Sequence, residues 1–398
     1  MTISNNEIKE NLKEIFKVYY DYSCKLAKVN EEGRVFTDHN IVHSEMVFEK
    51  SSEVIEAIQQ YVTNQKYEIA DEIIPFSKNI NMNVIKAVAY AHDTGMCGLG
   101  YALVKNSEGS YIENEDGYYQ VKSIDSNNYS EVRINHGLNS AINVLIKRKD
   151  LKKLGFSDVD IEEIAVVCMA HFISTSGLRN VNKIEDWSEC FKRLESAVLI
   201  YNLEHGNSSI SFERKLLENA NRFSNLATEV FAVRLGDVSR DACQNDVSQS
   251  GEKVYIDRKT FNNEGGSIGL EIQNATITIG KDNTPITFQK SIQVHAGEKN
   301  IIYNRTFTNQ DNYFIHEITV EDGNFVPKCT QQAIHDHLRV INTVPNFKFI
   351  VRIIFKANCS NFAKKSYEEF RSECACEFKN VDIVFPWDRI NNIFIKIR

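Results

Sequence analysis

The 398-residue sequence has no apolar run long enough to cross a bilayer, and its first residues lack the basic and apolar blocks of a signal peptide. Its nine cysteines include no C-x-x-C pair and no zinc-ribbon spacing, and their odd number argues against a disulfide framework. These absences predict a cytoplasmic protein with reduced thiols. They give no reason to expect a membrane partner.

A basic stripe of the kind that tracks a nucleic-acid backbone is also missing, and the net charge is −8. Extended nucleic-acid binding is therefore not expected, whereas a small anionic substrate held by metal ions fits this charge. Hydrophobic residues make up 42% of the chain and charged residues 25%, as in ordinary globular proteins. The length favours two domains over one.

Residues 1–245 carry apolar residues at three- and four-residue spacing in several long segments, which predicts an all-α domain. Between about residues 98 and 131 this pattern stops, and the stretch NSEGSYIENEDGYYQVKSIDSNNYS is rich in turn-forming and acidic residues. We interpret it as a long inserted loop beside the site that could carry a short hairpin.

Residues 253–398 contain short runs rich in β-branched and aromatic residues, such as ATITIG and YFIHEITV, separated by Gly, Asn and Asp. Helical patterns near residues 330–342 and 361–378 alternate with later strands. The prediction is an α+β domain with antiparallel strands that begins after a polar junction at 245–253. No motif in it indicates chemistry, so substrate binding, homo-oligomer formation and signal coupling all remain open.

Polar residues interrupt three apolar helical stripes of the first domain: His43, the pair His92-Asp93, and Asp237. Three separate helices can therefore direct ligands at one point. Burying the carboxylate of Asp237 among Val233 and Leu235 would be costly, and coordination to a cation would remove that cost.

These segments, FTDHNIVHSEMV, AVAYAHDTGM and VFAVRLGDVSRDA, resemble the HD superfamily of metal-dependent phosphohydrolases over roughly the first 240 residues. The resemblance implies that His43, His92, Asp93 and Asp237 bind a divalent metal. VRINHGLNSA and VVCMAHFIS resemble the additional histidine motifs of binuclear members. They imply that His136 and His171 bind a second metal, with Asp93 bridging.

The match to the cyclic-dinucleotide phosphodiesterases of this superfamily is incomplete. Thr94-Gly95-Met96 follows the His-Asp pair where those enzymes have Gly and Lys, and a Gly-Tyr-Pro signature is missing after His171. The spacing of Arg133, His136 and Ser140 is more similar to HD domains of bacterial conflict and signalling proteins.

Imidazole and carboxylate ligands suit Mn, Fe, Zn, Ni, Co or Mg, and the absence of thiolate argues against a purely structural zinc. Two cations about 4 Å apart can share a hydroxide and clamp phosphate oxygens during in-line attack. The expected enzyme is a phosphohydrolase or phosphodiesterase acting on a small nucleotide or nucleotide second messenger, with His92 and Asp93 at the catalytic centre. The substrate-binding candidates are Arg133, His39 and Lys105.

Two other functions remain open at this point. One is an HD nuclease that cuts single-stranded DNA or RNA, and the other is a metal-stabilised regulatory or binding module with little catalysis. The number of metals, one or two, is also open. A second His-Asp dipeptide, His335-Asp336, has no companion ligands on neighbouring apolar stripes, and we interpret it as an exposed helix face.

Overall fold

The structure is a computed structural model, and it describes two compact units, Met1–Leu26 with His39–Gly236 and Ala27–Asp38 with Asp237–Arg398. The residues described are 5–26, 41–64, 74–125, 128–206, 209–241, 268–271, 276–278, 285–287, 293–296, 304–310, 313–320, 335, 338–342, 344, 349–355, 361–378 and 381–384. The predicted junction at 245–253 lies outside them, so the domain boundary stays a prediction. None of the described helices is both long and apolar enough to cross a membrane.

The first unit is mostly helical, as the apolar periodicity predicts. Its helices are α1 (Asn5–Leu26), α2 (Ile41–Asn64), α3 (Met82–Ala91), α4 (Tyr129–Ile146), α5 (Arg148–Lys153), α6 (Asp158–Ala170), α7 (Ile173–Ser176), α8 (Ile184–His205) and α9 (Ala220–Asp241). Short 3-10 turns occupy Thr94–Cys97 and Arg214–Leu216. Helix α9 begins in this unit and continues without a break past Gly236 to Asp241, so Asp237 lies on the same helix as the residues before it.

The centre of this unit is formed by α3 and α6, whose residues are buried almost all round. Ser157 and Asp160 form a capping box that starts α6, and every residue from Ile161 to Ala170 is buried. Asn81 caps α3 by accepting a hydrogen bond from the Asn83 amide. A helix with no polar face must be enclosed by its neighbours, so both helices end deep in the core.

The insertion is ordered β structure, not a loop. Strands β1 (Tyr101–Leu103) and β2 (Val121–Ser123) pair antiparallel, and isolated bridges join Lys105 to Tyr111 and Glu113 to Tyr119. This confirms the hairpin and corrects the predicted end of the insertion, because α4 already begins at Tyr129.

The insertion is held to α8 by tyrosine hydroxyls. The Tyr101 hydroxyl donates to Glu204 at 2.8 Å, and the Tyr119 hydroxyl lies 2.9 and 2.7 Å from the two carboxylate oxygens of Glu189. Hydrogen bonds to charged acceptors are stronger than neutral ones, so these contacts fix the insertion on the helical unit.

The second unit contains a mixed sheet in the order β10-β9-β8-β7, formed by β7 (Asn304–Gln310), β8 (Tyr313–Val320), β9 (Phe349–Phe355) and β10 (Val381–Val384). Helix α10 (Asn361–Glu377) connects β9 to β10 in sequence. Two antiparallel pairs join β3 (Ile268–Glu271) to β6 (Gln293–Ala296) and β4 (Thr276–Thr278) to β5 (Pro285–Thr287).

The expectation that this part has antiparallel strands is only partly correct. Strands β7 and β8 are antiparallel, but β8 pairs with β9 and β9 with β10 in parallel. The parallel pairing of β9 and β10 follows from the helix between them, since a crossover helix returns the chain to the same end of a sheet.

Candidate metal centre

Six side chains on five helical segments converge in the structure. His43 lies in the first turn of α2, His136 in α4 and Asp237 in the last turns of α9. His92 and His171 are the residues that end α3 and α6, the two buried helices. The core helices therefore deliver an imidazole at each of their C-terminal ends, and Asp93 follows His92 directly.

The six residues form two groups that share Asp93. In each group the potential ligand atoms all lie within 4.8 Å of one another. The first group is His43, His92, Asp93 and Asp237, and the second is Asp93, His136 and His171. All six are buried except Asp237, which is half-buried. The structure thus brings together every residue for which the sequence predicted metal binding, and the cluster is compatible with metal ions.

The carboxylate of Asp93 faces the two groups with different oxygens. Its Oδ2 lies 2.7 Å from Nε2 of His43 and 3.0 Å from Nε2 of His92. Its Oδ1 lies 3.3 Å from Nε2 of His136 and 3.7 Å from Nε2 of His171. A carboxylate placed in this way can give one oxygen to each of two neighbouring cations.

Backbone carbonyls set the tautomer of three imidazoles. Nδ1 of His92 lies 2.9 Å from the Ala89 carbonyl, and Nδ1 of His136 and of His171 contact the carbonyls of Arg133 and Cys168. A carbonyl oxygen only accepts hydrogen bonds, so each Nδ1 carries the proton. In the neutral ring, Nε2 then offers its lone pair to the cluster, as a metal ligand must.

Within each group the Nε2 atoms of the two imidazoles lie about as far apart as two donors to one cation. Nε2 of His136 is 2.8 Å from Nε2 of His171, and the corresponding distance between His43 and His92 is 3.0 Å. Donors about 2.1 Å from one cation, at right angles to each other, would be about 3 Å apart. The donor set and its spacing therefore fit divalent cations.

Two other titratable groups close to Asp93 are held neutral. Burial raises the pKa of the Tyr20 phenol and of the Cys168 thiol, and the charge of Asp93 raises both further. The Tyr20 hydroxyl contacts the Ser44 hydroxyl at 2.8 Å and the Tyr90 carbonyl. Asp93 and Asp237 are consequently the carboxylates that would balance a cation charge, and thiolate ligation is absent from both groups.

Gly95 contacts the helix of His136, and no role for this glycine was predicted from the sequence. The Gly95 amide donates to the Ser140 hydroxyl at 2.8 Å, and a Cβ at Gly95 would lie 2.0 Å from the His136 carbonyl oxygen. The turn that carries Asp93 therefore touches the backbone of α4 directly. The signal in the sequence was the position of Gly95, two residues after a ligand, but its contact with α4 is not readable from spacing.

The buried Arg234 also has a role that was not predicted from the sequence. The Arg234 guanidinium donates from Nε to the Ala170 carbonyl at 2.8 Å and from Nη2 to the Leu178 carbonyl at 2.9 Å. Burial lowers its pKa to about 9, which leaves it charged at neutral pH. Because Ala170 precedes His171, Arg234 holds the end of α6 that presents this ligand.

The predicted substrate-binding residues are not part of either group. Arg133 is exposed on α4, and its carbonyl receives the His136 Nδ1 hydrogen bond. Lys105 is exposed in the insertion, with Nζ 4.7 Å from the centre of the Tyr111 ring. His39 lies outside the described residues. Their roles in substrate binding remain predictions.

The second His-Asp dipeptide forms no comparable site within the described part of the chain. Nε2 of His335 pairs with Glu377 at 2.9 Å, and His335 belongs to neither group of candidate ligands. Comparisons of the chain with protein families, with curated proteins and with solved structures found no match. Function is therefore inferred from the geometry of the two groups.

Proposed function

We propose that the helical unit is an HD-type domain and that the chain is a metal-dependent phosphohydrolase or phosphodiesterase with a binuclear centre. The single observation that supports this most strongly is the Asp93 carboxylate, whose two oxygens face two separate sets of imidazoles. A structural metal site needs one closed set of ligands, whereas a shared carboxylate places two cations next to each other.

The ligand set supports catalysis more than structural binding. The second group offers one carboxylate and two imidazoles, which is fewer protein ligands than a closed tetrahedral site has. In the first group, Asp237 is half-buried, so the cluster has an edge that is not fully enclosed. Open coordination positions at such an edge are what a substrate phosphate requires.

The chemistry would be hydrolysis of a phosphoester bond. When bound, two divalent cations would activate water and neutralise the charge that develops on the phosphoryl oxygens. The chain's own part is to hold the three Nδ1-protonated imidazoles and the Asp93 carboxylate in place, which the carbonyls of Ala89, Arg133 and Cys168 accomplish for the imidazoles.

The substrate class in this proposal is a small nucleotide or nucleotide-derived second messenger. The net charge of −8 does not favour an extended polyanion, while a compact phosphate can be held by local cations despite an acidic surface. Arg133 and Lys105 are exposed cationic residues, and additional contacts of both with the substrate phosphate are part of the proposal.

The proposal is tested by purifying the full chain without chelator, measuring its metal content, and assaying phosphate or mononucleotide release from a nucleotide panel. We expect activity with Mn or a similar divalent ion, and its loss in Asp93→Asn and His92→Ala. The matched control is His335→Ala, which changes the other His-Asp dipeptide and should leave turnover intact. Labelled single-stranded oligonucleotides in the same assay test the nuclease alternative.

Two results would refute the proposal. One is turnover that survives both Asp93→Asn and His92→Ala, because the reaction would then not use this centre. The other is full metal occupancy with no release from any phosphoester, which would identify a metal-stabilised binding module.

A further inference from the structure

The backbones of α4 and α6 approach each other closely at Gly137, the residue after His136. A Cβ built at Gly137 would lie 2.8 Å from the Met169 carbonyl oxygen and 3.3 Å from the Cys168 carbonyl oxygen. The Cys168 carbonyl is the acceptor for Nδ1 of His171. A methyl group at position 137 would thus press on the Cys168 carbonyl, which orients His171. It would also separate α4 from α6 and so move apart the Nε2 atoms of His136 and His171, which are 2.8 Å from each other.

Helices α2 and α9 show a similar approach at Gly236, the residue before Asp237. A Cβ at Gly236 would lie 2.4 Å from Oγ and 2.9 Å from the backbone nitrogen of Ser51, and 3.1 Å from the carbonyl oxygen of Val47. Val47 and Ser51 follow His43 by one and two helical turns, on the same face of α2. The contact at Gly236 therefore sets how near Asp237 comes to His43.

Each glycine belongs to one group only. Gly137 lies between the helices of His136 and His171, and Gly236 lies between the helices of His43 and Asp237. Both lie on continuous helices, and neither has a positive φ, so backbone conformation does not require glycine at either position. What requires it is the close approach of the neighbouring helix.

We propose that Gly137 and Gly236 are positioning residues that set the two cation sites independently, an inference that rests on the binuclear centre of the proposed function. Adding a methyl group at 137 removes the site of Asp93, His136 and His171 and leaves the other site in place. Adding one at 236 removes the site of His43, His92, Asp93 and Asp237 and leaves the site at the C-terminal end of α6.

The test is equilibrium dialysis of the full chain against Mn²⁺ with elemental analysis, for the wild type, Gly137→Ala and Gly236→Ala. We expect two Mn²⁺ per wild-type chain and one per variant chain at the same free concentration, with the affinity of the affected site weakened about 10- to 100-fold. Gly109→Ala is the control, since Gly109 has φ +85° and no atom within 4 Å of its added Cβ. It strains a turn but should still bind two ions.

Double variants identify which site is lost. In Gly137→Ala, a further His171→Ala change should remove no additional Mn²⁺, whereas His43→Ala should remove the remaining ion. The pattern should reverse in Gly236→Ala. Because the Ser51 hydroxyl is the atom nearest to the Cβ added at 236, Ser51→Ala should restore part of the second ion in the Gly236→Ala chain.

The outcomes separate this inference from the function on which it rests. A wild type that binds no Mn²⁺ would remove the metal-dependent function itself. A wild type with a single ion, variants that retain two, equal losses from both sites, or loss of helical circular dichroism in either single variant would overturn the inference. The last outcome counts against it because the unaffected site must survive.

Discussion

Replacing Gly95 with alanine should disturb both proposed cation sites, because Gly95 lies in the turn that follows Asp93, the residue that the two groups share. The added Cβ would lie 2.0 Å from the His136 carbonyl oxygen and 2.8 Å from the Ser140 nitrogen, both backbone atoms of α4. Ordinary contact begins near 3.4 Å, so the turn and α4 must separate by about 1.4 Å. Neither partner can relieve the overlap by rotating a side chain.

The loss of stability expected for Gly95→Ala has two parts. A separation of this size breaks the 2.8 Å hydrogen bond from the Gly95 amide to Ser140, which contributes about 0.5–1.5 kcal/mol. Overpacking in a dense core costs about 1–3 kcal/mol more. The sum, about 1.5–4.5 kcal/mol, should lower the Tm by about 3–18 °C in a unit of this size.

The effect on metal binding follows from the same displacement. Oδ1 of Asp93 is 3.3 Å from Nε2 of His136, and a shift of about 1.4 Å of the turn against α4 moves the two donors too far apart to hold one ion well. Since Asp93 serves both groups, Mn²⁺ affinity should fall at both sites, by about 10-fold or more.

Thermal denaturation of the chelated protein and Mn²⁺ dialysis measure the two effects separately. Gly155→Ala is the control, because Gly155 has φ +91° and its added Cβ would meet nothing within 4 Å. It should lose some stability through backbone strain and keep wild-type metal binding. A Gly95→Ala chain with wild-type Tm and wild-type Mn²⁺ affinity would show that the reasoning from the close approach is wrong.

Three further predictions concern groups away from the ligands. Burial and the nearby charge of Glu163 raise the pKa of Glu229, and the carboxylate oxygens of Glu229 have no hydrogen-bond partner among the described residues. Ionisation of Glu229 therefore lowers the free energy of unfolding as the pH rises above about 4.5. The free energy of unfolding of Glu229→Met, measured in urea, should therefore exceed that of the wild type by about 1–3 kcal/mol at pH 8 and by less at pH 5. A difference that is larger at pH 5 than at pH 8 would contradict this prediction. Tyr119→Phe removes the contact with Glu189 and should speed proteolysis within the insertion while leaving Mn²⁺ binding unchanged; equal cleavage rates would contradict it. Arg193→Lys loses the contacts of Nη1 with the Ser174 and Thr175 carbonyls of α7, the helix that follows His171 in sequence. The change should weaken Mn²⁺ binding at the second group more than at the first, and equal weakening would count against the role.

The clustering of His43, His92, Asp93 and Asp237 could be predicted from the sequence, because each of them interrupts an apolar helical stripe. A polar side chain on such a face must enter the core, and α2, α3 and α9 bring these positions to one point in the structure. His136 and His171 were indicated only by the resemblance to the HD superfamily, and the structure places them beside Asp93.

The order of the insertion could not be predicted, because its stabilising contacts are distant in sequence. Tyr101 and Tyr119 meet Glu204 and Glu189 on α8, which lie 103 and 70 residues further along the chain. Local composition shows only turn residues and charge. The same limit applies to the sheet of the second unit, where the parallel pairing of β8 with β9 joins residues such as Phe314 and Phe349, which are 35 positions apart in the chain.

A count of charges at the centre explains why an anionic substrate fits the proposed function. The ligands comprise four imidazoles, neutral when they bind through Nε2, and the carboxylates of Asp93 and Asp237. Two divalent cations would therefore leave a net charge of about +2 in a mostly buried cluster, and an uncompensated buried charge is costly. A phosphate group supplies the missing negative charge at close range, although the chain as a whole carries −8. Long-range repulsion between that surface charge and the substrate is screened beyond about 8 Å at physiological ionic strength, so the local cation charge decides binding.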